Sequence, residues 1–128
     1  IGLIEDGQLI FRYVWRDGMW EDTGIPFEIG RGVAGKVAAT GKSLIVNDVN
    51  SFQDFAHPDL TEQFRVRGML DTPIVSRNGK VVGVLDVRLP EGRRPFTEQD
   101  CELLEGLTNQ AAVAIENANI NQAAIENA

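Results

Sequence analysis

Apolar and polar positions along the chain fall into two periods. At the amino end Ile1–Ile4 and Leu9–Trp15 are apolar or alternate, the period of two expected of strands. Glu5-Asp6-Gly7-Gln8 between them supplies the turn residues of a hairpin. After Arg16-Asp17-Gly18 the pattern loosens through Gly24, Pro26 and Gly30. A short helix is predicted from Val33 to Ala39, closed by Gly41 in a left-handed conformation, and Leu44–Val46 reads as a short strand. Asn47–His57 reads as a loop that carries Phe52 and Phe55, and Pro58-Asp59 opens a helix running through Leu60 and Phe64 towards Arg67.

The clearest pattern is a second hairpin. Leu70–Arg77 and Lys80–Leu89 flank Asn78-Gly79, the residue pair preferred in a type I′ turn. A simple register about that turn sets Asp71 opposite Asp86, Pro73 opposite Val84 and Val75 opposite Val82. Pro95-Phe96-Thr97 then announces a long helix, with Thr97 as cap and Asp100 answering it. Leu104, Leu107, Ala111, Ile115 and Ala118 recur at helical spacing. The tail 121–128 nearly repeats 109–118, which continues the helical propensity. Strands that come in hairpins rather than βαβ units predict an α+β fold: an antiparallel sheet with helices on its faces.

Charge narrows the partners. The 128 residues hold 19 acids against 12 bases, a net charge of −7, and the basic clusters Arg65/Arg67 and Arg93/Arg94 hold two residues each. Such a surface repels a phosphate backbone, so no direct nucleic-acid contact is expected. No apolar run is long enough for a membrane span, and no membrane contact by this domain is expected. Ile1 opens the chain without a starting Met or a secretion signal, which suggests a fragment of a cytoplasmic protein. The one cysteine, Cys101, has no internal partner and favours a reducing compartment.

Several motifs are weaker than they look. Gly30-Arg31-Gly32-Val33-Ala34-Gly35 matches G-x-G-x-x-G, but Pro26 lies upstream and Gly41 ends the helix after about two turns. Backbone geometry explains it better: Gly32 at a helix start and Gly35 at a close packing point. His57 has neither a nucleophile elbow nor a second ligand nearby, and no catalytic or metal-binding residue is assigned. Cys101 stands among Glu98, Asp100 and Glu102, acids that raise a thiol pKa, so a packing role is expected.

Two features carry candidate binding chemistry. Like charges directly opposed in a sheet are unfavourable, so Asp71 and Asp86 need relief. A raised pKa, a cation or a ligand donor would supply it, as would Arg88 one step diagonal, neutralising the pair at the sheet edge. The Asn47–Met69 connection brings Asp48, Phe52, Phe55, Phe64 and Met69 over the sheet, where the apolar groups either plug the core or line a cavity.

Three blocks, in order, resemble the GAF domain family. Phe96-Thr97-Glu98-Gln99-Asp100-Cys101-Glu102-Leu103-Leu104, continued by Leu107-Thr108-Asn109-Gln110-Ala111-Ala112-Val113-Ala114-Ile115-Glu116-Asn117-Ala118, is similar to the family's terminal helix. Thr72-Pro73-Ile74 with Gly79-Lys80-Val81-Val82-Gly83-Val84-Leu85 resembles its central hairpin. Gly32-Val33-Ala34-Gly35-Lys36-Val37-Ala38, Thr40-Gly41-Lys42 and Val46-Asn47-Asp48-Val49 resemble its short helix and third strand.

The resemblance implies a central antiparallel sheet of five or six strands, related to profilin and PAS architectures. It also implies a sensory domain over 1–118, with 119–128 a helical tail or the start of a linker. The family's usual first helix is missing, so its partner face on the terminal helix is left exposed or covered by another chain. The implied function is regulatory binding of a small ligand within a signalling protein such as a two-component sensor kinase, a cyclase or phosphodiesterase, or a transcription regulator. The implied assembly is a homodimer through the terminal helix. The expected pocket residues are Asp48, Phe52, Phe55, Phe64, Met69, Asp71 and Asp86. Covalent bilin and haem are disfavoured, as is the cyclic-nucleotide signature, and the cofactor is left unassigned. The alternatives are a ligand-free dimerisation or spacer module and, poorly supported by a single cysteine, a free methionine sulfoxide reductase.

Overall fold

A computed structural model describes residues 1–52 and 66–127. Two Asp-Gly turns organise the amino-terminal part. Strands β1 (Gly2–Glu5) and β2 (Gln8–Phe11) pair antiparallel, with Glu5 opposite Gln8. Asp6 and Gly7 join them with φ of 51° and 78°, the two positive values a type I′ turn requires. The device repeats at Asp17-Gly18, φ 52° and 77°, which joins β3 (Val14–Arg16) to β4 (Met19–Glu21).

This second hairpin corrects the single run expected over Leu9–Trp15. The first ladder ends at Phe11, because Arg12 and Tyr13 turn away and donate their N–H groups to the Ile1 carbonyl. Trp15 and Trp20 then oppose each other, rings edge to face at 5.2 Å, and Val14 packs against the core. The looser segment also holds a strand, β5 (Ile25–Phe27), paired with β2. Pro26 hides it from the sequence pattern, yet on an outermost strand a missing N–H donor costs little.

Helix α1 (Gly32–Thr40) ends as expected, with Gly41 at φ 70° donating its N–H to the Val37 carbonyl. Strand β6 (Leu44–Val46) and a 3₁₀ turn (Val49–Ser51) follow. Strand β7 (Val66–Val75) begins at Val66 rather than Leu70, so Val66 and Arg67 are extended and not the end of a helix. The rest of that expected helix, from Pro58, lies outside the described residues, as does His57.

Between β7 and β8 (Val81–Pro90) the turn differs from the expected type I′. Of Asn78 and Gly79 only Gly79 has a positive φ, 83°, and its N–H donates to the Ser76 carbonyl while Ser76 N–H donates to Lys80. This is a longer connection ending in a glycine bulge. The extra residue shifts the register locally: Val75 pairs with Val81, not Val82. Past that irregularity the simple register holds, with Pro73 opposite Val84 and Asp71 opposite Asp86.

The six-stranded antiparallel sheet has the order β5-β2-β1-β8-β7-β6. One face carries Leu9, Phe11 and Val84 against Ala34, Val37 and Ala38 of α1, while Val46, Val66 and Met69 pack with Val33 in a second cluster. Leu44 touches both clusters. Across the sheet lies helix α2 (Glu98–Glu126), its capping box closed between Thr97 and Asp100, burying Cys101, Thr108 and Ala112. Asn47 ties the end of β6 to the entry of α2: its side-chain amide donates to the Phe96 carbonyl at 3.1 Å, and Phe96 N–H donates to Asn47 Oδ1 at 2.8 Å. The helix runs unbroken past Ala118, and from Asn117 to Asn127 every residue is exposed.

Candidate functional site

Alternation along β7 and β8 places Met69, Asp71 and Pro73 beside Val84, Asp86 and Arg88 on the face that α1 covers. Leu44 of β6 flanks Asp71 on its other side. The acidic pair therefore sits on inner strands, between the two apolar clusters, and not at the sheet edge where Arg88 alone was expected to neutralise it.

Burial makes this pair unusual. Asp71 is 0% exposed, and among the described residues neither of its carboxylate oxygens has a hydrogen-bond partner. Arg88 Nε donates to Asp86 Oδ1 at 3.3 Å, with the Asp86 side chain 7% exposed and Arg88 31%. The guanidinium thus serves the outer acid and leaves the inner one without a direct partner. Burial, first of all, pushes Asp71 well above the usual carboxylate range, and the Asp86 charge adds to it. Arg88 opposes the shift less strongly, while the side-chain contact with Asp86 raises it further. A buried acceptor left unmet costs about 1–3 kcal/mol, so Asp71 is a costly element of the fold.

The other expected pocket residues divide. Met69 is buried in the second cluster, and Phe52, partly buried, packs against the same cluster with Lys36 Nζ 4.8 Å from its ring centre. Both plug the core in this arrangement. Asp48 is exposed, its Oδ1 accepting the Asn50 N–H at 3.0 Å as the cap of the 3₁₀ turn. Phe55 and Phe64 lie outside the described residues. Arg88, which the sequence offered only as a neutraliser, belongs to the site by its bond to Asp86.

The glycine motif is structural. Gly30 and Gly32 have φ of 96° and 69°, and a Cβ on Gly35 would stand 2.4 Å from the Glu28 carbonyl oxygen. Cys101, buried on the α2 side of the sheet, donates to Glu105 at 3.3 Å, and burial followed by that bond raises its pKa. Among the described residues no helix is long and apolar enough to cross a membrane, and no group of three or more His, Cys, Asp or Glu is placed to hold a metal ion.

The model of the family described as GAF domain matches residues 4–115. The chain belongs to the GAF domain family. Protein YtsP of Bacillus subtilis (strain 168) is 38% identical to this GAF domain over 96 residues, 75% of the chain and 53% of that protein. The chain thus spans about half the length of this curated relative. Among solved structures, the GAF domain of a phosphoenolpyruvate-protein phosphotransferase from Coxiella burnetii superposes with a TM-score of 0.79 at 18% identity, covering 95% of this chain and 73% of that one. Free methionine-R-sulfoxide reductase from Neisseria meningitidis, in complex with its substrate, gives 0.71 at 23% identity, covering 94% and 67%. At these identities the likeness is one of fold. A GAF domain of a phosphotransferase and a free methionine-R-sulfoxide reductase thus share this architecture.

Proposed function

We infer that this GAF domain is a small-ligand-binding regulatory module of a multidomain signal-transduction protein. The observation that carries the reading is Asp71. A fully buried carboxyl with no partner, opposite a second acid, is expensive to maintain, and groups of this kind cluster where a ligand supplies the missing contact. The proposed binding site is on the α1 face, with Asp71, Asp86 and Arg88 as its polar floor. Occupancy reaches an output domain through α2. A thermal-shift screen of a metabolite library tests this: at least one compound is expected to raise Tm, with the gain lost in Asp86→Ala and reduced in Phe55→Ala. A screen with no stabilising compound, or one whose gain survives Asp86→Ala, overturns the reading.

Reductase chemistry is disfavoured for this chain. Cys101 is its one thiol, is held in its protonated form by burial and Glu105, and sits across the sheet from the acidic pair. The buried thiol accords with a cytoplasmic setting.

A dimerisation role rests on a separate observation. On the α2 face an open groove of about 560 Å³ is lined by Leu70, Val87, Leu89, Phe96 and Leu104, and Leu103 and Leu107 at its rim are 72% and 52% exposed. Exposed leucines beside an apolar groove favour a second copy of α2 as the cover. Sedimentation is expected to give a concentration-dependent dimer that Leu103→Glu with Leu107→Glu converts to monomer. A monomer at all concentrations sinks the dimer and leaves ligand binding untouched.

A further inference from the structure

The unmet oxygens of Asp71 define what the ligand must bring. A carboxylate offers about four lone-pair positions, and a protonated acid still offers acceptors. In Asp71 neither oxygen meets a hydrogen-bond donor among the described residues. Leu44 blocks one flank of the pair, while Arg88 at the other end is engaged with Asp86. The structure therefore holds two acids facing each other, with the inner one lacking both a donor and a direct counter-charge.

We propose that Asp71 and Asp86 together recognise a cationic nitrogen of the ligand, an ammonium or guanidinium, and that Asp71 gives up its proton to solvent as the cation enters. This rests on the ligand-binding reading above and names the ligand's charge. An ammonium carries three N–H donors, enough to bridge both carboxylates at once. A neutral amide or hydroxyl meets the lone pairs but supplies no charge, so it leaves Asp71 protonated. A carboxylate adds a third negative charge to the pair. Charge balance is simple: the cation arrives, one proton leaves Asp71, and no covalent bond changes besides that O–H.

Among the described residues, the ionisable side chains that act on Asp71 are Asp86 and Arg88 from β8; Leu44 from β6 is apolar. Of these, Asp71 alone is both fully buried and without a partner. Its release therefore sets the pH dependence. Cation binding strengthens as pH rises towards Asp71's raised folded value, by up to about tenfold per pH unit for one linked proton, and levels off beyond it.

The test uses three probes of one shape: n-butylammonium, n-butanol and butyrate, titrated calorimetrically into the domain. Butylammonium is expected to bind at least about tenfold more tightly than butanol, with butyrate weakest, as one charge-assisted contact predicts. Titrations in buffers of different ionisation enthalpy are expected to report close to one proton released. Asp71→Asn, which keeps the side-chain shape, is expected to abolish the proton release and the pH dependence, and Asp86→Asn to weaken binding at all pH values. Equal binding of butanol and butylammonium, no binding of butylammonium, or unchanged proton release in Asp71→Asn overturns the proposal. Those results leave the ligand-binding reading standing if the metabolite screen finds a stabilising compound that carries no cation. A screen without any stabilising compound removes both.

Discussion

Asp71→Asn is expected to stabilise the domain, and by more as the pH rises. The sign follows from the raised pKa. In the unfolded chain Asp71 loses its proton around 3.8, whereas the folded protein holds that proton to higher pH because burial and Asp86 disfavour the charge. The folded state therefore binds the extra proton, and the stability associated with Asp71 is full below 3.8 and lost as pH rises through the folded pKa. Asparagine cannot titrate. Below 3.8 the variant should match the parent, since a neutral amide replaces a neutral acid of the same shape. Above that value the difference grows by about 1.4 kcal/mol per pH unit until it levels at the folded pKa of Asp71. Each kcal/mol is worth about 4 °C in Tm for a domain of this size, so melting curves from pH 4 to pH 8 resolve the slope. Parallel Tm profiles for parent and variant would show that Asp71 titrates as a solvated group, and the site as described would fail. A stabilising loss of an acid is the pattern of a residue kept for binding rather than for folding.

What the sequence disclosed about this site, and what it withheld, divides along the range of the interactions. Asn78-Gly79 announced the β7–β8 hairpin, and hairpin register is a local property, so Asp71 could be set opposite Asp86 without coordinates. Even there the turn type was hidden, because Asn-Gly serves a glycine-bulge connection as well as a type I′ turn, and Val75 shifted by one partner as a result. The α2 capping box and the Gly41 cap were legible for the same reason: each depends on residues a few positions apart. Burial of Asp71 was not legible. It follows from β1 and β6 closing the two sides of the hairpin and from α1 lying over the face, none of which the hairpin sequence encodes. The expectation that Arg88 neutralised an edge pair failed on that point alone. Strand β5 and the β3–β4 hairpin were missed where local signals misled: Pro26 reads as loop, and an alternating run continues through Arg12 although the ladder stops at Phe11. Asp48 reads equally well as a pocket acid or a turn cap, and only the Asn50 N–H at 3.0 Å separates the two.

One substitution made at two glycines should give opposite results. In α2, Gly106 has open space where a Cβ would stand and is exposed, so Gly106→Ala is expected to stabilise by about 1 kcal/mol through helix propensity. In α1 the same propensity gain is available at Gly35, but its Cβ would lie 2.4 Å from the Glu28 carbonyl oxygen and 3.3 Å from the Gly30 nitrogen. Both are backbone atoms, and Gly30 is itself fixed by its N–H donating to the Gly35 carbonyl at 2.8 Å. No rotamer change relieves the clash. Either α1 lifts from the sheet, loosening Val33, Ala34, Val37 and Ala38, or the Glu28–Gly30 bend opens. Overpacking of this kind costs about 3 kcal/mol, so Gly35→Ala is expected to destabilise by roughly 2 kcal/mol net of the propensity gain. Urea unfolding of the two variants measures both signs against one parent. A neutral or stabilising Gly35→Ala would mean that the glycine run does not bring the helix against the bend, and its match to G-x-G-x-x-G would need a different explanation. The expected destabilisation fixes Gly35 as the contact that holds α1 down over the face where Asp71 is buried.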